Sequence, residues 1–148
     1  MGVTVTEASP KDREAVIQLW RSVELTRPWN DPASDFDLAL ASPSSTILLA
    51  QKEFELAGTA MVGFDGHRGW VYYLASDPAR RGQGIGRALM RAAEEWLKHR
   101  GAPKIQLMVR GDNQDARAFY QALGYELQDV VTIGRRLDLA HSPANSAS

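Results

Sequence analysis

The chain has 148 residues, 44% of them hydrophobic and 24% charged, which suits one globular domain and leaves little room for a second core. With 17 Lys+Arg against 18 Asp+Glu the net charge is -1, so no broad cationic field favours nucleic acid, and zero Cys excludes disulfides, thiolate zinc sites and cysteine nucleophiles. No apolar run reaches the length of a membrane span and the residues up to Pro10 lack the order of a signal peptide, so a cytoplasmic protein without a membrane partner is expected.

Val3 and Val5 alternate with Thr4 and Thr6, which predicts a first strand ending at Ser9-Pro10. Ser9 as cap and Pro10 in the first turn then open a helix whose Val16, Ile17, Leu19 and Trp20 share one side. Arg27-Pro28-Trp29-Asn30-Asp31-Pro32 reads as a shaped loop, with Asp31 capping a second helix through Phe36, Leu38 and Leu40. The run Ile47, Leu48, Leu49, Ala50 predicts a strand buried on both faces, and 56–64 its neighbour. Between them Lys52-Glu53-Phe54-Glu55 lacks the Asn-Gly or Asp-Gly pair of a tight hairpin; Asp65-Gly66 supplies that pair before a strand over 69–76. Ile85, Leu89, Ala92, Ala93, Trp96 and Leu97 form the clearest amphipathic helix, closed by Gly101 and Pro103. Ile105, Leu107 and Val109 alternate as a strand, and Ala116, Phe119, Tyr120 and Leu123 mark a last helix stopped by Gly124. Two further short strands are expected to finish a domain over 1–138, with 139–148 as a disordered tail.

The sharpest feature is Asp77-Pro78-Ala79-Arg80-Arg81-Gly82-Gln83-Gly84-Ile85-Gly86-Arg87, between a strand and the strongest helix. Alternating glycines let the backbone approach a ligand, and the helix start aims free N–H groups and a positive dipole at it, so an anion belongs there. Arg80, Arg81 and Arg87 favour a pyrophosphate. No Gly-Lys-Ser or Gly-Lys-Thr follows and the spacing is not G-x-G-x-x-G, so this is neither a P-loop nor a dinucleotide fingerprint.

Arg81-x-x-Gly84-x-Gly86, after Leu74-Ala75-Ser76-Asp77-Pro78, resembles the acetyl-CoA pyrophosphate loop of the GNAT superfamily of N-acetyltransferases. Asn113, Ala116, Tyr120 and Leu123-Gly124-Tyr125 resemble that family's second CoA-facing helix, and the likeness spans roughly residues 3–137. Arg27-Pro28-Trp29-Asn30-Asp31, Asp65-Gly66-His67-Arg68-Gly69 and Pro103-Lys104-Ile105-Gln106 are similar to a bacterial subgroup typified by the acetyltransferase YpeA. The resemblance implies an α/β (α+β) fold, a mixed, mostly antiparallel twisted sheet of about seven strands flanked by about four helices.

It also implies an acetyl-CoA-dependent enzyme without a metal, in which a primary amine attacks the thioester directly. Leu74, Ala75, Ser76, Arg81, Gly82, Gln83, Gly84, Ile85, Gly86, Arg87, Asn113 and Tyr120 would bind acetyl-CoA. The strand end at Leu74, Ala75 and Ser76 would splay from its neighbour near Ile105 and free main-chain groups for the pantetheine and the oxyanion. Tyr120 would be catalytic, donating to the departing thiolate: its ordinary pKa is about 10, against about 8.5 for a free thiol. Trp29, Asn30, Asp31, Asp65 and His67 would line the acceptor pocket. Met108 stands where enzymes that modify ribosomal-protein N-termini carry a Glu, and a thioether takes no proton. Glu24, Asp31, Asp65, His67 or a water chain are the remaining routes for the amine proton. A small amine or amino-acid-like acceptor is therefore expected, with a homodimer left open. The competing readings are a non-catalytic acyl-CoA-binding sensor module and a protein N-terminal or lysine acetyltransferase.

Overall fold

The computed structural model describes residues 2–26, 28 and 30–138. They form two compact units, one of Met1–Thr26 with Asp31–Met108 and one of Arg27–Asn30 with Val109–Ser148. The first holds the strands β1 (Thr4–Glu7), β2 (Ser45–Lys52), β3 (Glu55–Phe64), β4 (Gly69–Ser76) and β5 (Ile105–Leu107). Its helices are α1 (Arg13–Ser22), α2 (Pro32–Ala41) and α3 (Ile85–His99). The second holds α4 (Gln114–Ala122). The sheet order is β1-β2-β3-β4-β5, antiparallel except for the parallel β4–β5 pair.

The apolar run in β2 is buried on both faces, as expected, because both faces are covered. On one side Ile47 and Leu49 pack with Val16 and Trp20 of α1, Phe36 and Ala39 of α2, and Ala75 of β4. On the other, α3 presses Ile85, Leu89, Met90, Ala93, Trp96 and Leu97 inward. Contact there is close at Gly58, where an added Cβ would lie 2.6 Å from both the Ala75 carbonyl oxygen and Ile85 Cγ2. Gly58→Ala is therefore expected to cost about 1–3 kcal/mol through overpacking. A lowered midpoint in chemical denaturation, with unchanged slope, is the measurement.

Caps appear where the sequence places them. The Asp12 carboxylate accepts from the Ser9 N–H at 2.9 Å, which closes a short 3-10 turn (Pro10–Asp12) ahead of α1. Asp31 accepts from the backbone of Ala33 and Ser34 at the start of α2. Asn113 accepts from Ala116 at 3.0 Å at the start of α4, and Gly124 ends that helix at φ 94°. The β2–β3 hairpin instead turns through Glu53 and Phe54 at φ 54° and 68°. Both central residues are left-handed, as a type I′ turn requires, without the Asn-Gly chemistry that favours it.

Two expectations fail at the carboxyl-terminal end. The strand read through Val109 stops at Leu107, and residues 126–138 form no strand, so the sheet has five strands among the described residues rather than about seven. Val130, Val131 and Ile133 have strand-forming side chains but stay exposed, because among the described residues the second unit contains no strand whose edge could pair with them. The tail over 139–148 lies outside the described residues.

Candidate active site

The loop between β4 and α3 is pinned at its start. Asp77 donates its N–H to the Ala57 carbonyl at 2.8 Å, and its side chain accepts from Ala79 at 3.0 Å. Arg80 reaches back to the β2–β3 turn, hydrogen-bonding Glu55 and lying 4.0 Å from Glu53 and 3.9 Å from Asp77. It is thereby a brace with its charge already matched, which corrects its reading as a phosphate ligand. Among the described residues Arg81 and Arg87 make no ion pair, and both are exposed.

Gly82 and Gly84 sit at φ 82° and 77°, the left-handed region that other L-residues enter at a cost of about 1–2 kcal/mol. Gly84 is the N-cap of α3 and brings no side-chain acceptor, in contrast to Asp31 on α2 and Asn113 on α4. Among the described residues no side chain caps the leading N–H groups of this helix, the longest of those described, which suits them to a ligand. An added Cβ at either glycine would meet nothing within 4 Å, so the space beside the loop is open. Gln83, Ile85 and Gly86 complete the turn, Ile85 buried beneath it. Uncapped amides, a helix dipole and two unmatched guanidinium groups fit a pyrophosphate.

Upstream of the loop β4 is irregular. β5 pairs with it only at Gly69, Trp70 and Val71, so from Tyr72 to Ser76 that edge has no strand partner among the described residues. This fits the splay expected near Ile105, since no strand covers the outer edge of Leu74 and Ser76 among the described residues, while Ala75 stays paired with Thr59 of β3. On the other edge Thr59 pairs with Ala75 and Met61 with Tyr72, which sets Ala60 opposite both Tyr73 and Leu74 in a β-bulge. Tyr73 sits at φ 52°, a conformation that costs a bulky residue about 1–3 kcal/mol.

Three side chains hold it. The Trp20 ring stacks on the Tyr73 ring at 3.9 Å. Trp20 Nε1 donates to Thr59 Oγ1 at 2.9 Å, and that hydroxyl donates to the Tyr73 carbonyl at 2.9 Å. The Tyr73 hydroxyl donates to Asp35 Oδ2 of α2 at 2.6 Å. Burial foremost, then the bond to Asp35, pushes the Tyr73 pKa well up. None of this was visible in the sequence, where Tyr73 is one aromatic among several and Asp35 an ordinary helix acid.

The acceptor candidates are scattered. Trp29 lies outside the described residues. Asn30 accepts from Arg136 at 3.3 Å in the second unit. In the first unit the Asp31 carboxylate is engaged by Ser34, through hydroxyl and backbone, and by Ala33. Those bonds, Ser34 foremost, hold it below the usual carboxylate range. Asp65 accepts from the Arg68 and His67 backbone at 2.7 and 2.8 Å and from Trp70 Nε1 at 3.2 Å, and is likewise held low. Both are weakened as bases, since lowered pKa means lower proton affinity. The His67 side chain is exposed in the same turn. Glu24, at φ 60°, ends α1. Met108 is 51% exposed just beyond β5. Among the described residues no cluster of His, Cys, Asp or Glu is placed to hold a metal ion, and no helix is long and apolar enough to cross a membrane.

The second unit carries the remaining two site residues. The Asn113 carbonyl oxygen is spent on the α4 cap, which leaves its amide nitrogen for a ligand. Tyr120 packs edge-on against Phe119 and Tyr125 at 5.0 and 5.8 Å, and among the described residues of its unit its hydroxyl makes no hydrogen bond. Burial pushes its pKa up to about 12. It is a firm hydrogen-bond donor at neutral pH, and full proton transfer to a thiolate of pKa about 8.5, uphill already for an ordinary tyrosine, becomes more so.

Sequence comparison agrees with this architecture. The model of the acetyltransferase (GNAT) family matches residues 14–125. Proteins named acetyltransferase from Pectobacterium atrosepticum and Sodalis glossinidius are each 47% identical to this chain, over 126 and 127 residues, covering 85% of it and 89% of the relative. The structure of AAC(6')-Iy in complex with the bisubstrate analogue CoA-S-monomethyl-acetylneamine superposes with TM-score 0.80 over 92% of this chain and 99% of that one; at 16% identity it shows the fold alone. The chain belongs to the GNAT family. It is an acetyltransferase with that family's α+β fold.

Proposed function

We propose that the chain is an acetyl-CoA-dependent N-acetyltransferase of the YpeA-like bacterial subgroup, acting on a small amine or amino-acid-like acceptor. The observation that carries this reading is the uncapped start of α3 at left-handed Gly84, flanked by unmatched Arg81 and Arg87. In it the loop amides of 82–87 and the two arginines take the pyrophosphate, while the free edge of Leu74, Ala75 and Ser76 takes the pantetheine. The amine lone pair attacks the thioester carbon, a main-chain N–H of β4 receives the developing oxyanion, and collapse expels the thiolate, for which Tyr120 is the proton-donor candidate. AAC(6')-Iy, whose complex joins CoA to an acetylated aminoglycoside fragment, is a fold relative whose ligand has an amine-bearing small molecule at this chemistry. The protein N-terminal alternative is disfavoured by Met108, which has no proton-accepting group.

With Asp31 and Asp65 held low, the enzyme relies on the neutral fraction of the amine or on water. kcat/KM should therefore climb with pH towards the amine's own pKa. Because the raised Tyr120 pKa keeps the donor form, no falling limb is expected up to about pH 10. Assaying free amines and amino acids beside peptide N-termini at several pH values, by CoA release, tests this. Efficient peptide acetylation with a flat profile above neutrality would contradict it.

A further inference from the structure

We propose that Tyr73 is a positioning residue, clamped by Trp20, Thr59 and Asp35 so that the bulged main chain of Leu74, Ala75 and Ser76 is preset for the acyl donor. This rests on the reading above that those three residues bind acetyl-CoA. Each part of Tyr73 has its own anchor from a different element: the ring on Trp20 of α1, the carbonyl on Thr59 of β3, the hydroxyl on Asp35 of α2. Packing alone would need only the ring. A bulky residue at φ 52° relaxes unless its surroundings over-determine it, and these do. The need for a clamp follows from the ladder. β5 stops pairing at Val71, so beyond it β3 is the one strand neighbour of β4 among the described residues, and the bulge interrupts that pairing too. Side chains take over the alignment that a second neighbouring strand would otherwise impose. Trp20 and Thr59 are both fully buried, which keeps water from competing for the hydroxyl that holds the Tyr73 carbonyl.

The test compares Tyr73→Phe, Asp35→Ala, Asp35→Asn and the Tyr73→Phe/Asp35→Ala double variant by calorimetric titration with acetyl-CoA, alongside thermal melting. Tyr73→Phe and Asp35→Ala should each weaken acetyl-CoA on the order of tenfold, the effect of letting the binding-competent main chain fall to about a tenth of the population. The double variant should be no worse than either single, because both remove the same bond. Asp35→Asn, whose amide oxygen still accepts from Tyr73, should bind nearly as the parent does. Parent-like affinity in Tyr73→Phe, even with a lowered melting point, would reduce the clamp to structural support and overturn the proposal. Asp35→Asn as weak as Asp35→Ala would overturn it too, by assigning the effect to charge. If Asp35→Ala does not fold, Tyr73→Phe, which keeps the ring stack, decides alone. A parent protein that fails to bind acetyl-CoA would instead refute the functional reading, and the clamp's purpose with it.

Discussion

Gly84→Glu should bind acetyl-CoA on the order of 10²-fold or more weakly than the parent while remaining folded, since two charge-assisted hydrogen bonds are worth at least that. The substitution does two things at once. It forces a side chain into φ 77° at the N-cap of α3, and it places a carboxylate where phosphate oxygens belong. Gly84→Ala separates them: an added Cβ there meets nothing within 4 Å, so alanine suffers the backbone strain alone and should lose far less affinity. Calorimetry on both variants makes the distinction. Equal, parent-like binding by both would remove the pyrophosphate from this loop.

Tyr120→Phe should lower kcat on the order of 10²-fold with little change in acetyl-CoA affinity, because the hydroxyl acts mainly as the thiolate forms. The packing against Phe119 and Tyr125 survives in the variant, and among the described residues of its unit the hydroxyl has no hydrogen bond to lose, so stability should barely move. Steady-state kinetics read with a melting curve test both halves. A variant with full turnover would return Tyr120 to the role of a packed aromatic.

Local signals carried much of the fold. Leu89, Ala93, Trp96 and Leu97 recur at helical spacing and are buried in α3; Asp31 and Asn113 cap the helices they precede. Gly82 and Gly84 are left-handed in the loop where the glycine pattern pointed to an anion. What escaped the sequence depends on partners far along the chain. Arg80 looked like a phosphate ligand because Glu55, 25 residues away, cannot be seen beside it in a linear reading. Residues 70–75 are apolar or aromatic without a break, so no change of pattern announced the bulge at Tyr73. The anchor for its hydroxyl lies 38 residues upstream. The closing strands failed for a related reason: Val130, Val131 and Ile133 have strand chemistry, but strand formation needs an available edge. In the acceptor region the short-range signals were sound and their meaning changed. Asp31 and Asp65 bind their own turns, and those bonds are what depress their basicity.

Mass spectrometry of the protein and of small-molecule products, after mixing with acetyl-CoA first alone and then with a panel of free amines, amino acids and peptides, bears most directly on function. The expected result is an unchanged protein mass without acceptor, followed by acetylated small amine and CoA in equal amounts once an acceptor is present. Acetyl-CoA bound but never consumed, with no acetylated product from any acceptor in the panel, would contradict direct transfer and leave a module that only holds the thioester.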